Sequence, residues 1–263
     1  MIPHFDSPVI HLYGPIAIHM FGVMVALGIL VGARWTRKRG AQLGYSEEKV
    51  ASMITTTLVC GFIFAHIFDV FAYQTSQKPT LIEILNPFGG LSSFGGFIGA
   101  LGGMFFWCWK NGEPFMPYAD SLGYGLSIGW MFGRLGCFSA HDHPGSYTDF
   151  FLGVHYPDGV RHDLGLDEAL WAAGIALIFS LLARKKRPLG LYVTSLSLAY
   201  APVRFGLDFL RAHDVAGADP RYFGLTPAQW GSIGVLGAGV GLLLWMRNHR
   251  TETAAPTPPP PSS

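Results

Sequence analysis

Long apolar runs broken by short polar segments recur along the whole chain. Seven of them approach the roughly 20 residues that an α-helix needs to cross a bilayer. They cover residues 15–33, 50–68, 89–109, 117–132, 169–183, 189–203 and 227–246. The fourth holds Asp120 near its start, the fifth follows Glu168, and the sixth ends at Arg204. Because the fourth to sixth runs are short, the polar residues at their ends are expected near membrane depth. The pattern predicts an all-α, polytopic membrane protein of about seven transmembrane helices, with a small extracytoplasmic head between helices four and five, roughly residues 137–166. Within that head, FFLGVHYPDGVRHDLG alternates enough to predict a small hairpin. One domain, residues 1–250, accounts for the pattern, with no convincing internal repeat. The Pro-rich tail at residues 251–263, TETAAPTPPPPSS, is expected to be disordered.

Composition supports the membrane class. The 263 residues are 13% charged, about half of what a soluble domain carries, and the mean hydropathy is +0.33. Net charge is +1, so bulk charge identifies no partner, and nucleic acid is not expected as one. The placement of charge is more telling. Twelve of the 18 Lys and Arg residues fall on one set of loops, among them Arg34, Arg37, Lys38, Arg39, Lys110 and the run Arg184 to Arg187. The positive-inside tendency makes that side cytoplasmic, which puts the N-terminus outside and the C-terminus inside. The N-terminal stretch has no basic region and no small-residue cleavage site, so the first apolar run is expected to remain in the mature chain. Cys60, Cys108 and Cys137 offer no disulfide framework.

Six basic residues remain on the outer side: Lys78, Arg134, Arg161, Arg204, Arg211 and Arg221. Arg134 and Arg204 adjoin apolar runs, where arginine is costly unless it is paired or faces a polar cavity. The planar guanidinium is also well matched to a phosphate. Either these arginines snorkel or pair with Asp208 and Asp142, or they hold an anion. Arg134 opens the segment GRLGCFSAHDHPG, residues 133–145, where His141, Asp142 and His143 follow within nine residues. That cluster admits a metal site, a catalytic site or an ordinary polar loop. His-x-His in a loop lacks a usual zinc spacing, which counts against metal.

Several segments, in order, resemble the prolipoprotein diacylglyceryl transferases of bacterial inner membranes. They are SPVIHLYGPIAIHMFGVMVALG (7–28), GGLSSFGGFIGALGG (89–103), GRLGCFSAHDHPG (133–145), YAPVRFGLDFLRAHD (200–214) and LTPAQWGS (225–232). RHDLGLDEAL is a weaker match that retains His162, Leu166 and Glu168. The resemblance implies transfer of the diacylglyceryl group of phosphatidylglycerol to the lipobox cysteine thiol of a prolipoprotein, with glycerol phosphate leaving and no cofactor or metal required. It implies Arg134 and Arg204 as the phosphate clamp. His19, Gly95, Gly96, Gly133, Gly136, Gly145, Asp142 and Tyr200 become candidate substrate-binding positions. Asp208 stands where the family has Glu, and pairing with an arginine is expected there.

The sequence also departs from the family pattern. The family's histidine before the second Gly pair is Phe94, its first-span Tyr is Phe21, and its signature Asn, Asn and Glu are Cys137, Ala140 and Asp142. Asp167 replaces a Tyr, and an arginine is missing near Ile63. His141 or His143, oriented by Asp142, is therefore expected to replace the lost histidine as proton acceptor. Two other readings stay open: a divergent paralogue with a different acceptor, and a non-catalytic membrane protein that binds anionic lipid.

Overall fold

The computed structural model describes residues 1–13, 16–72, 84, 90–214 and 221–248. Among the described residues, seven long helices carry the chain: α1 (Met20–Gln42), α2 (Glu47–Ala72), α3 (Ser93–Asn111), α4 (Phe115–Ala140), α5 (Leu164–Leu182), α6 (Leu191–Leu207) and α7 (Pro227–Asn248). The chain is an all-α membrane protein. Among the described residues, four helices, α1, α2, α5 and α7, are long and apolar enough to cross a bilayer by length and composition. The apolar run at 89–109 begins outside the described residues, as does the run at 15–33. The tail at 251–263 and Lys78 also lie outside them.

The helices differ from the apolar runs in instructive ways. The first run does not start as helix. Strand β1 (Val9–Tyr13) pairs antiparallel with β2 (Ile16–His19), and α1 begins only at Met20. Ile16 and Ile18 are β-branched and fit an extended chain. At the other end α1 continues nine residues beyond Ala33, so Arg34, Arg37, Lys38 and Arg39 stand on a helix rather than in a loop.

Small residues let the helices meet closely. A methyl group on Gly28 of α1 would lie 2.8 Å from the Gly129 carbonyl of α4, and one on Gly103 of α3 would lie 2.6 Å from Cys60 Cβ of α2. Small-residue seams of this kind are a usual way for helices to pack in lipid. Beside them, two apolar clusters form the core. Val50, Met53, Met104, Trp107 and Tyr118 make one, and Tyr124, Ile175, Phe179 and Tyr192 the other.

The two ends of the helix bundle are chemically distinct. At one end Arg39 and Asp120, 2% and 0% exposed, are bonded through Nε (3.0 Å) and Nη2 (2.7 Å) to Oδ2. Arg39 also donates to the carbonyls of Arg187 and Pro188, while Asp120 Oδ1 accepts from the backbone N–H groups of Tyr192 and Val193. This knot ties α1, α4 and the start of α6 together. Gln42 donating to the Ala183 carbonyl, and the Lys49–Glu113 pair, lie at the same end.

At the other end, between α4 and α5, a three-stranded antiparallel sheet forms from β3 (Pro144–Tyr147), β4 (Val154–Tyr156) and β5 (Gly159–Asp163), in the order β3-β5-β4. The hairpin expected in this region is β4–β5, closed by Pro157 and Asp158. Ile2 bridges to Val154 and lays the N-terminal segment along β4. Arg161 is 1% exposed; it bonds Asp158, Asp214 and the Gly145 carbonyl, and so ties the sheet to the segment after α6.

Candidate active site

The site grows from the C-terminal end of α4. His141 caps that helix in the left-handed region (φ 51°, ψ 35°) and reverses the chain, so that Asp142 and His143 return over the last turns. His143 Nε2 then lies 3.4 Å from Arg134 Nη1, and Cys137 Sγ lies 3.6 Å from the same nitrogen. His143 Nδ1 bonds Asp142 Oδ1. Arginine has only donors. The approach of Nη1 therefore fits a His143 whose Nδ1–H points to Asp142 and whose Nε2 carries a lone pair. Burial disfavours the charged imidazole, but the bonds to Asp142 and the Cys137 thiol outweigh it and push the His143 pKa up to about 9.

Glu168, on the second turn of α5 and 1% exposed, gathers the arginines. Its Oε1 lies 2.8 Å from Arg134 Nη2 and 3.3 Å from Arg204 Nε, and its Oε2 accepts from the Tyr200 hydroxyl at 2.6 Å. Tyr200 and Arg204, one turn apart on α6, reach it from the same face. Arg204 Nη1 bonds Asp208 Oδ1 at 2.7 Å. Asp208 is held in turn by the Thr226 hydroxyl. Thr226 and Gln229 form a reciprocal cap at the start of α7, with Thr226 N to Gln229 Oε1 at 3.0 Å and Gln229 N to Thr226 Oγ1 at 3.2 Å. Arg134 itself is 9% exposed, its guanidinium lies 5.4 Å from the Trp130 ring, and its Nε has no partner among the described residues. A buried N–H without an acceptor costs free energy. An anionic oxygen would relieve that cost.

The other candidate positions separate into groups. His141 does not join the arginines. Its Nδ1 faces Asp163 Oδ2 at 3.2 Å, its Nε2 faces the Phe5 carbonyl at 3.1 Å, and Phe5, Phe138, His4 and Tyr156 pack around its ring. Both ring nitrogens are occupied in holding the N-terminal segment to the sheet. A methyl group on Gly136 would meet Phe21 and Met24 of α1 at 3.1 to 3.3 Å, and one on Gly145 would meet His162 Cβ at 2.7 Å. Gly95 and Gly96 face α2, against Phe68 and Ala65. Gly133 has open space around it. His19 lines an open groove of ≈ 660 Å³ with Ser7, Ala17, Ile18, Phe21, Gly22 and Ala140. Phe94 packs edge-on against Phe68, and Asp167 pairs with His162 at 3.5 Å.

Cys137, Asp142 and His143 bring sulfur, oxygen and nitrogen within 4.8 Å of one another. The Arg134 guanidinium stands beside that trio, and a fixed cation there opposes a second one. What the arrangement offers is a rigid pair of cations, an unfilled donor, and an imidazole–carboxylate pair beside them. Such a site suits an anionic, phosphate-bearing ligand and a proton transfer next to it.

Sequence reasoning passed over Glu168, Thr226 and Gln229 as working parts. Glu168 was visible as a carboxylate opening an apolar run, which needs a partner. Thr226 and Gln229 carry the T-x-x-Q spacing of a helix cap.

Known proteins share this chain's sequence across the same elements. A model of the family "Prolipoprotein diacylglyceryl transferase" matches residues 8–245. A protein of Nitratidesulfovibrio vulgaris (strain DP4), named phosphatidylglycerol–prolipoprotein diacylglyceryl transferase, is 32% identical over 81% of this chain and 84% of its own length. The identically named protein of strain Miyazaki F is 29% identical over 96% of this chain and 98% of its own. That of Aliivibrio salmonicida is 28% identical over 92% and 88%. The matched region takes in α1 to α6 and most of α7, and with them both arginines, the glutamate that joins them and the cap that holds Asp208. The chain belongs to the prolipoprotein diacylglyceryl transferase family.

Proposed function

We propose that this chain transfers the diacylglyceryl group of phosphatidylglycerol to the lipobox cysteine thiol of a prolipoprotein, in the bacterial inner membrane. The observation that carries this reading is the joining of Arg134 and Arg204 through buried Glu168, with Arg134 Nε left unpaired and the His143–Asp142 pair beside it. In the proposed reaction the two arginines hold the lipid phosphate. Charge grows on the phosphate oxygen as the glyceryl carbon–oxygen bond breaks, and cations fixed in a dry site stabilise it. The incoming thiol has an ordinary pKa of about 8.5. His143 Nε2 takes its proton, and Asp142 steadies the imidazolium that results. A base near pKa 9 is closely matched to that thiol. His141 is assigned the structural task of fastening the N-terminal segment.

Seven spans are part of the same proposal, with the sheet and the arginine site extracytoplasmic, the N-terminus outside and the C-terminus inside. The supporting observation is that the Arg39–Asp120 knot lies with the basic end of α1 and the turn Arg184 to Arg187, at the end opposite the site. The groove beside His19 offers a lipid an apolar way in from the side.

Phe94, in the place of the family histidine, favours a second reading: an anionic-lipid-binding protein without catalysis. Complementation separates the two. In cells depleted of their own transferase, expression of this chain is expected to restore growth and convert the accumulated precursor. No conversion, with phosphatidylglycerol still retained by the purified protein, would replace the first reading with the second.

A further inference from the structure

Cys137 is a thiol placed among groups that, on the proposed function, serve a different thiol. It stands three residues after Arg134 on α4, with Sγ 3.6 Å from Nη1 and close to the imidazole and carboxylate of His143 and Asp142. A ligand is indicated independently by Arg134, a 9% exposed residue whose Nε has no partner among the described residues. Cys137 Sγ lies 3.6 Å from the guanidinium that would hold a phosphate ester, and reactants gathered in one site react far faster than the same groups in solution. Cys60 has a different setting: it packs under Gly103 in the α2–α3 seam. Cys108 is buried in the core cluster with Trp107 and Tyr118.

We propose that Cys137 is itself a diacylglyceryl acceptor, so that with phosphatidylglycerol present and no protein substrate the chain S-alkylates its own Cys137. The inference rests on the proposed transferase reading. The Cys137 thiol gives its proton to His143 Nε2, and its sulfur forms a bond to the glyceryl carbon. The carbon–oxygen bond to phosphate breaks, and glycerol phosphate leaves with the electron pair. The product is a thioether, which does not pass its group on. Cys137 is therefore a terminal modification site that marks turnover without an acceptor.

The test uses the purified full-length protein in phosphatidylglycerol vesicles, read by intact and peptide mass spectrometry. A parallel sample contains a lipobox peptide. The expected result without peptide is a slow gain of one diacylglyceryl group on the fragment containing residue 137. That adduct resists hydroxylamine and is absent in Cys137→Ser and in phosphatidylcholine vesicles. A hydroxylamine-labile adduct would overturn the proposal, because it would be a thioester made by acyl transfer. Peptide modified while Cys137 stays unmodified would overturn this inference and leave the transferase reading standing. Neither thiol modified would overturn both.

Discussion

His143 sits between two charges of opposite sign. Arg134 opposes its protonation, while Asp142, bonded to Nδ1, favours it, and the pKa is pushed up to about 9. A proton acceptor must be neutral, so below pH 9 the active fraction of His143 rises about tenfold per pH unit and levels off above it. Transfer measured from about pH 6 to about pH 10 is expected to climb with an inflexion near pH 9 and to level off above it. The substrate thiol also titrates in this range, so the decisive comparison is Asp142→Asn. Loss of that carboxylate removes the larger of the two contacts that raise the His143 pKa, the other being the Cys137 thiol, and the inflexion is expected to move to lower pH. An unchanged inflexion in the variant would show that His143 is not the proton acceptor. Sequence alone left His141 and His143 level as replacements for the missing histidine. The difference between them is the left-handed turn at His141, which sends one ring under Phe5 and the other over Arg134.

Among the elements, α4 has a polar knot at each end: Asp120 near its start, and Arg134 with Cys137 near its finish. The Arg39–Asp120 pair is fully buried, and removing one partner of such a pair costs about 3–5 kcal/mol, because the other charge is left uncompensated. Asp120→Asn keeps the size and one acceptor for the Tyr192 N–H but leaves Arg39 unpaired. It is expected to lower the thermal unfolding midpoint in detergent by several degrees. A midpoint within one degree of wild type would mean that water or a phosphate reaches Arg39. The helices themselves were legible as apolar runs. Their ends were not legible. Arg39 reads as a loop charge because hydropathy cannot show that a partner 81 residues away neutralises it. The N-terminal hairpin was hidden for a similar reason: Ile16 to His19 is as apolar as a helix start, and only its pairing with Val9 and Ile10 makes it a strand. At the site, Arg134, Arg204 and Tyr200 were legible from spacing and resemblance. Glu168 was legible only as a carboxylate in need of a partner; that three residues on two other helices converge on it was not.

For the molecule as a whole, the two ends have different chemistry. One is rich in lysine and arginine, on the last turns of α1 and in the turn Arg184 to Arg187, and is closed by the Arg39–Asp120 knot. The other carries the sheet, the strapped N-terminal segment and the paired arginines. Lipid headgroups and a secreted precursor meet on the outer face of a membrane, and the proposed orientation puts the arginine site there. Glu168 gives that site its rigidity: it holds two guanidinium groups close together before any ligand arrives, so little reorganisation is left for the reaction. In the proposed reaction these two arginines stabilise the departing phosphate. That role is tested by transfer of labelled diacylglycerol from phosphatidylglycerol to a lipobox peptide by purified wild type, Arg134→Lys and Arg204→Lys. Lysine keeps the charge but not the planar fork. Each variant is expected to bind phosphatidylglycerol vesicles still while its kcat falls about 100- to 1,000-fold. A kcat within about twofold of wild type in either variant would contradict that role.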